Sequence, residues 1–326
     1  MIITEKSTLS EYRSIPELEE ISRYLLYWGD EPDRQMEQTP FEVLGQMGWN
    51  VSGILKGAVR VRQQAEMGKL LYPIYSDAEI ATDPARKDMN VIFLPKTVQT
   101  GEKPFVLVIA GGGYRNICTF SEAFPLAARL NELGYDAFCL TYRVGKSGVF
   151  PHPMEDLAAA VRTVLANRQS FGVSGEYIVS GFSAGGNLTA LWGTVAYGYA
   201  AYDLPAPRAM FPVYPVVSGR IPGGCPELQG CFLAMVGERD TDKKLEQYDV
   251  LRLLDSHYPP CYITCGKNDG VVNPANSEQL KAGLDALGIP AVLDESENAQ
   301  HGFGDGEGTT AAGWIDRAVA FAEKLG

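Results

Sequence analysis

The chain has only three histidines, and its six cysteines form no C-x-x-C pair. No apolar run approaches the ~20 residues that a membrane span needs. Each scarcity closes off a class of protein. So few histidines and such scattered cysteines (118, 139, 225, 231, 261, 265) argue against a structural zinc site, and no metal is expected. Cys139, Cys261 and Cys265 lie in apolar, strand-like runs, where a small buried thiol is the ordinary outcome. Cys225 and Cys231 flank a Pro/Gly loop that would permit a bridge without requiring one. Basic residues are outnumbered, 28 Lys and Arg against 40 Asp and Glu, giving a formal charge of −12. Nucleic acid and anionic membrane are therefore poor partners. Met1-Ile-Ile-Thr-Glu-Lys lacks a basic stretch followed by an apolar core, so no signal peptide is expected and the anticipated location is the cytoplasm.

What is present is an ordinary globular composition, 45% apolar and 21% charged, over 326 residues. That length suits one large domain with insertions, or a domain with an appendage. Residues 1–70 read as a helical N-terminal extension. Ile15-Pro16 opens a helix with acids at its positive end, through Leu26. From Phe41 to about Met67, apolar residues recur at helical spacing (Val43, Leu44, Met47, Val51, Ile54, Leu55, Val59). The extension has three open roles: cap over a site, flank packing, or homodimer contact.

Residues 71–326 alternate strands and helices. Tyr72–Tyr75 and Asn90–Pro95 suggest an antiparallel pair. Phe105–Ala110, Asp136–Tyr142, Tyr177–Ser180, Arg208–Val217, Cys261–Gly266 and Pro290–Asp294 suggest buried strands. Helices are expected over Ser121–Leu133, Pro153–Gln169, from Asn187, over Asn276–Leu287 and over Ala311–Leu325. Residues 219–258 read as an irregular insertion or cap, helical from Asp240 to about Leu254. This order implies a mostly parallel central sheet with right-handed crossovers and helices on both faces, an α/β fold. Sites in such sheets lie beyond the carboxyl ends of the strands.

One stretch organises the rest. Ile178-Val-Ser-Gly-Phe-Ser183-Ala-Gly-Gly-Asn-Leu188 reads as strand, tight turn and helix start, and it contains Gly181-x-Ser183-x-Gly185. A serine at the apex of such a turn has strained backbone angles, and small residues two positions to either side relieve the crowding. The pentapeptide alone would equally suit a glycine-rich turn with a passive serine; the flanking strand and helix favour a nucleophile. A neutral serine needs a base. His301, in Gln300-His301-Gly302-Phe303-Gly304, lies in the loop before the last helix. His152, between two prolines, and His257, before Tyr258-Pro-Pro, read as rim or surface groups. The carboxylate that orients the base is assigned to Asp269, in Cys265-Gly-Lys-Asn-Asp269. The similar Val236-Gly-Glu-Arg-Asp240 instead suits a helix N-cap at Asp240, and Asp294 and Glu295 are minor alternatives. Oxyanion donors are assigned to Gly112 and Gly113, in Gly111-Gly-Gly-Tyr114, and to the amide of Ala184. The triple glycine lacks the Lys-Ser/Thr of a P-loop and the full dinucleotide fingerprint. Tyr114, Arg115 and Asn116, just beyond it, are candidates for substrate contact.

With these motifs in order, and with Tyr142-Arg143-Val144, Asp269-Gly-Val-Val-Asn-Pro-Ala-Asn-Ser277 and His301-Gly-Phe-Gly304, the chain resembles the α/β-hydrolase superfamily. From about residue 90 onward it is similar to bacterial acetylxylan and feruloyl esterase-like proteins, near the hormone-sensitive-lipase-like esterases. The resemblance implies cofactor-free serine hydrolysis of carboxylic esters of small acyl groups, including esters of carbohydrates. Two positions depart from the pattern. Ala110 stands where lipase-like members carry histidine, and Asn187 where the carbohydrate-esterase group often does. Arg143 is expected to be a scaffold residue satisfied by a buried acid or carbonyls. Two rival functions share the fold: an amide or peptide hydrolase such as a formamidase or exopeptidase, and a non-catalytic binding protein.

Overall fold

A computed structural model describes residues 2–29, 32–46 and 48–325. Ten strands are present among them: β1 (Tyr27–Trp28), β2 (Leu71–Pro73), β3 (Asn90–Leu94), β4 (Phe105–Ile109), β5 (Asn116–Ile117), β6 (Ala137–Thr141), β7 (Tyr177–Phe182), β8 (Ala209–Val213), β9 (Cys261–Gly266) and β10 (Ala291–Ser296). Eight form one sheet in the order β10-β9-β8-β7-β4-β6-β3-β2. Neighbours from β10 to β6 are parallel; β3 runs antiparallel to β6 and β2 antiparallel to β3. β1 and β5 make a separate antiparallel ribbon.

The central strands are buried at every position, as continuous apolar runs such as Phe105-Val-Leu-Val-Ile require when helices cover both faces. Each fully buried Val, Leu, Ile or Phe contributes about 1.5–3 kcal/mol. The chain has the α/β-hydrolase architecture. β7 feeds the helix Ala184–Trp192 near the middle of the sheet, so Ser183 stands at the carboxyl edge where β4, β7 and β8 end.

Several elements differ from the sequence reading. Pro16–Tyr24 is a 3₁₀ helix. The apolar run from Phe41 splits into Phe41–Gln46 and Val51–Met67, because Asn50 caps the second helix by accepting the Gly53 amide at 2.9 Å. Met47 lies outside the described residues. The helix expected from Ser121 opens with a π turn over Thr119–Ala123 and becomes α-helical over Phe124–Glu132. β8 stops at Val213, where Tyr214 takes φ +37° and Pro215 has no amide to donate. The last helix is Trp314–Glu323, its start delayed by Gly313, which takes the left-handed conformation at φ +77° in the N-cap position. The insertion contains a helix, Leu228–Val236, that the sequence did not suggest, followed by Thr241–Gln247 and Val250–Leu253. Asp240 does occupy the N-cap position, but at φ +56° its side chain makes no capping bond.

Leu9, Tyr12, Leu18, Ile21, Leu25 and Ile54 of the N-terminal segment belong to the same continuous core as the sheet. All six cysteines are free thiols. Among the described residues no helix is long and apolar enough to cross a membrane.

Candidate active site

Ser183 carries the strain that its turn demands, with φ +52° and ψ −114°, a conformation costing on the order of 1–3 kcal/mol for a non-glycine residue. Its amide donates to the Val213 carbonyl at 3.0 Å, pinning the apex to β8. The flanking glycines are required by close approach. A Cβ on Gly181 would stand 2.2 Å from the Gly185 carbonyl oxygen, and one on Gly185 would stand 2.2 Å from that of Ile109. The helix therefore starts hard against β4 and β7, with its amino end beneath the serine.

The structure brings the three residues singled out for nucleophile, base and acid into one hydrogen-bonded line. Nε2 of His301 lies 2.9 Å from Oγ of Ser183, and Nδ1 lies 2.8 Å from Oδ2 of Asp269. The other oxygen of Asp269 accepts the amides of Val271 at 2.8 Å and Val272 at 2.9 Å. The Asp269 side chain is 1% exposed and that of His301 15%. The other acids and histidines lie elsewhere. Asp294, with Glu295 beside it on β10, pairs with Arg317 at 2.7 Å and accepts from Tyr262 at 2.5 Å. His152 bonds Glu155, and His257 is on the surface beside Asp255.

Gly112, Gly113 and Ala184 line the same cavity as Ser183 and His301. The Gly111 amide, one residue earlier, is already committed: it donates to Oε2 of Glu122 at 2.5 Å. Oε1 of Glu122 accepts the Tyr214 hydroxyl at 3.0 Å, and the Tyr214 ring packs 4.6 Å from that of His301. A single buried carboxylate thus ties the glycine loop to the residue that backs the imidazole. Burial raises the Glu122 pKa, opposed by the Gly111 amide, the nearby His301 and the Tyr214 hydroxyl. Sequence reasoning missed both residues. The available signal was an acid placed between the two phenylalanines of Phe120-Ser-Glu122-Ala-Phe124.

Of the three candidates for substrate contact, Tyr114 lines the cavity, with its hydroxyl donating to Asn187 at 2.6 Å. Arg115 and Asn116 are outside the lining. Asn116 lies on β5, paired with Trp28, and supports the glycine loop from behind. Asn187 also donates to the Val216 carbonyl at 2.7 Å, so both ends of its amide are satisfied by protein. Arg143 is a scaffold residue. It donates to buried Asp156 at 3.0 Å and forms ion pairs with Glu155 and Asp83.

The cavity over Ser183 has a volume of about 290 Å³. One wall is the helix Leu228–Val236, which contributes Leu228, Cys231, Phe232 and Met235, spaced i, i+3, i+4, i+7 along one face. Leu245, Tyr248, Val271, Val272 and Trp49 also line the cavity, with Val271 next to the start of this helix, its carbonyl accepting the Cys225 amide at 3.1 Å. Among the described residues no group of three or more His, Cys, Asp or Glu is arranged to hold a metal ion.

A strand–serine–helix elbow, with a histidine and an aspartate delivered from later loops of a mostly parallel sheet, is the arrangement of the α/β-hydrolase fold, and the chain has that fold. A family model described as BD-FAE matches residues 91–200. The chain is 27% identical over 220 residues to endo-1,4-beta-xylanase B of Butyrivibrio fibrisolvens, covering 64% of this chain and 34% of that one. It is 26% identical over 212 residues to esterase LipQ of Mycobacterium tuberculosis, covering 61% and 50%. It thus spans half or less of these two curated relatives. Among solved structures it is similar to an acetyl ester-xyloside bifunctional hydrolase from Caldicellulosiruptor lactoaceticus, at TM-score 0.65 and 25% identity, covering 78% of this chain and 96% of that one. Together these similarities support the esterase/lipase group of the α/β hydrolases.

Proposed function

We propose that the chain is a serine carboxylesterase working through Ser183, His301 and Asp269. The observation that carries this reading is the continuous hydrogen-bonded line from Oγ of Ser183 through His301 to Asp269, set beside the glycine loop. Ser183 attacks the ester carbonyl as His301 takes its proton at Nε2. The oxyanion is held by the amides of Gly112, Gly113 and Ala184. The tetrahedral intermediate then expels the alcohol, which receives the proton from Nε2, leaving an acyl-serine. Water, losing its proton to the same nitrogen, attacks the acyl carbon; the acid leaves and the proton returns to Ser183. Asp269 fixes the ring so that Nδ1 carries the hydrogen and Nε2 is free to accept.

The apolar cavity supports a small acyl ester as substrate. Similarity to a xylanase and to an acetyl ester-xyloside hydrolase supports a carbohydrate as the alcohol half. The six free thiols suit the cytoplasm. The test is hydrolysis of p-nitrophenyl acetate by the wild type and by Ser183→Ala, with acetanilide and a dipeptide anilide alongside. Ester turnover that falls about 10³-fold or more in the variant supports the reading. Turnover that survives the substitution, or amide cleavage without ester cleavage, contradicts it.

A further inference from the structure

The alcohol half of an ester leaves from beside Nε2 of His301, because that nitrogen supplies its proton. The wall next to His301 therefore meets the leaving group, while the Leu228–Val236 face stands over the glycine loop, with Cys231 against Gly113. The wall by the imidazole comes from the N-terminal segment. Gly48 lies beside the His301 carbonyl and the Gln300 side chain, and the next residue, Trp49, lines the cavity together with His301 and Gly302. Trp49 is held from two sides. Its ring stacks on buried Phe120 at 5.5 Å and 23°. Its neighbour Asn50 is fastened to the loop that follows the base, donating to the Phe303 carbonyl at 3.2 Å, Asp305 at 2.8 Å and the Glu307 carbonyl at 3.0 Å. The indole and the imidazole thus belong to one cross-linked unit, although Asn50 and His301 are 251 positions apart in the chain.

Resting on the esterase reading above, we propose that Trp49 is the specificity-determining residue for the leaving alcohol, and that the preferred substrates carry a ring in that half. A rigid, half-buried indole offers a flat apolar surface that a ring can lie against and that a two-carbon alcohol cannot use.

The experiment compares wild type, Trp49→Phe and Trp49→Ala on three acetates that differ only in the alcohol: ethyl acetate, phenyl acetate and an O-acetylated methyl xyloside. Phenyl butyrate serves as the acyl control. The expected result for Trp49→Ala is a KM raised about tenfold for the ring-bearing acetates, with kcat retained and ethyl acetate changed less than twofold. Trp49→Phe keeps a flat ring and recovers most of the loss. A loss confined to phenyl acetate assigns the surface to aryl alcohols, and one confined to the xyloside assigns it to sugars; either supports a ring-binding wall. An equal loss on all three acetates, or a loss that depends on acyl length, overturns the proposal, and so does Trp49→Phe behaving like the wild type on none of them. Failure of the esterase reading itself looks different: the wild type then hydrolyses none of the four esters.

Discussion

Replacing Asp269 with asparagine removes one charge and changes almost no volume, and the surroundings dictate how the new amide must sit. Oδ1 of Asp269 accepts two backbone amides, from Val271 and Val272, and Oδ2 faces Nδ1 of His301. In Asp269→Asn the carbonyl oxygen has to take the first position, because an NH₂ there would confront two donors. The NH₂ group is then left facing Nδ1, which must accept. A neutral imidazole that accepts at Nδ1 carries its hydrogen on Nε2, so Ser183 meets a donor where it needs an acceptor. Flipping the amide to recover the working tautomer sacrifices two backbone hydrogen bonds. At about 1–3 kcal/mol for each buried group left unsatisfied, that is roughly 2–6 kcal/mol, or about 30-fold to 10⁴-fold in rate. The imidazolium also loses its counter-charge, which pushes the effect toward the upper end, about 10⁴-fold. The two turn bonds survive, so the fold should be unaffected. The assay is kcat/KM for p-nitrophenyl acetate at pH 7.5, with circular dichroism and a thermal melt on the same preparation. A folded Asp269→Asn within tenfold of wild type would refute the reasoning. Asp294→Asn, which alters the ion pair with Arg317, is the control expected to retain activity.

Two further substitutions probe the scaffold of the site. Burial raises the Glu122 pKa above its ordinary value of 4.5, so the native state holds that proton more tightly than the unfolded chain does. Its ionised form therefore costs stability that is absent below the unfolded pKa and grows as pH rises through the folded one. Glu122→Gln should accordingly gain melting temperature relative to wild type at pH 7.5 more than at pH 4, while kcat falls about tenfold because Gly111 loses a charge-assisted bond; a melting-temperature difference that does not change with pH contradicts this. Gly185→Ala would drive a methyl group to 2.2 Å from the Ile109 carbonyl oxygen, and should destabilise the chain by about 3 kcal/mol or prevent soluble expression, as a urea melt would show.

The parts legible in the sequence were those whose cause is local. Phe105–Ile109 and Ala137–Thr141 are apolar throughout, and only a doubly covered strand tolerates that. The spacing Gly181-x-Ser183-x-Gly185 reflects two close backbone approaches within one turn. His301 stood out because the chain has only two other histidines, and both sit in contexts unsuited to a base. The rest depends on contacts between distant segments. Glu122 reads as an ordinary helix-start acid until β4 delivers the Gly111 amide and β8 delivers Tyr214, 92 residues later. Leu228–Val236 is apolar almost all round and interrupted by Gly230, so helical periodicity has no polar face against which to register. The place of Trp49 follows from three bonds that Asn50 makes to a loop more than 250 residues away, and spacing within the extension carries no trace of them.

The claim on which the mechanism stands is that the hydroxyl of residue 183 is chemically activated by the ring of residue 301. Incubation with a fluorophosphonate, followed by peptide mass mapping, measures this directly. The account predicts a single phosphonyl adduct on Ser183 of the wild type and none on a folded His301→Ala chain. An unlabelled wild type, or an adduct on any other residue, would contradict it.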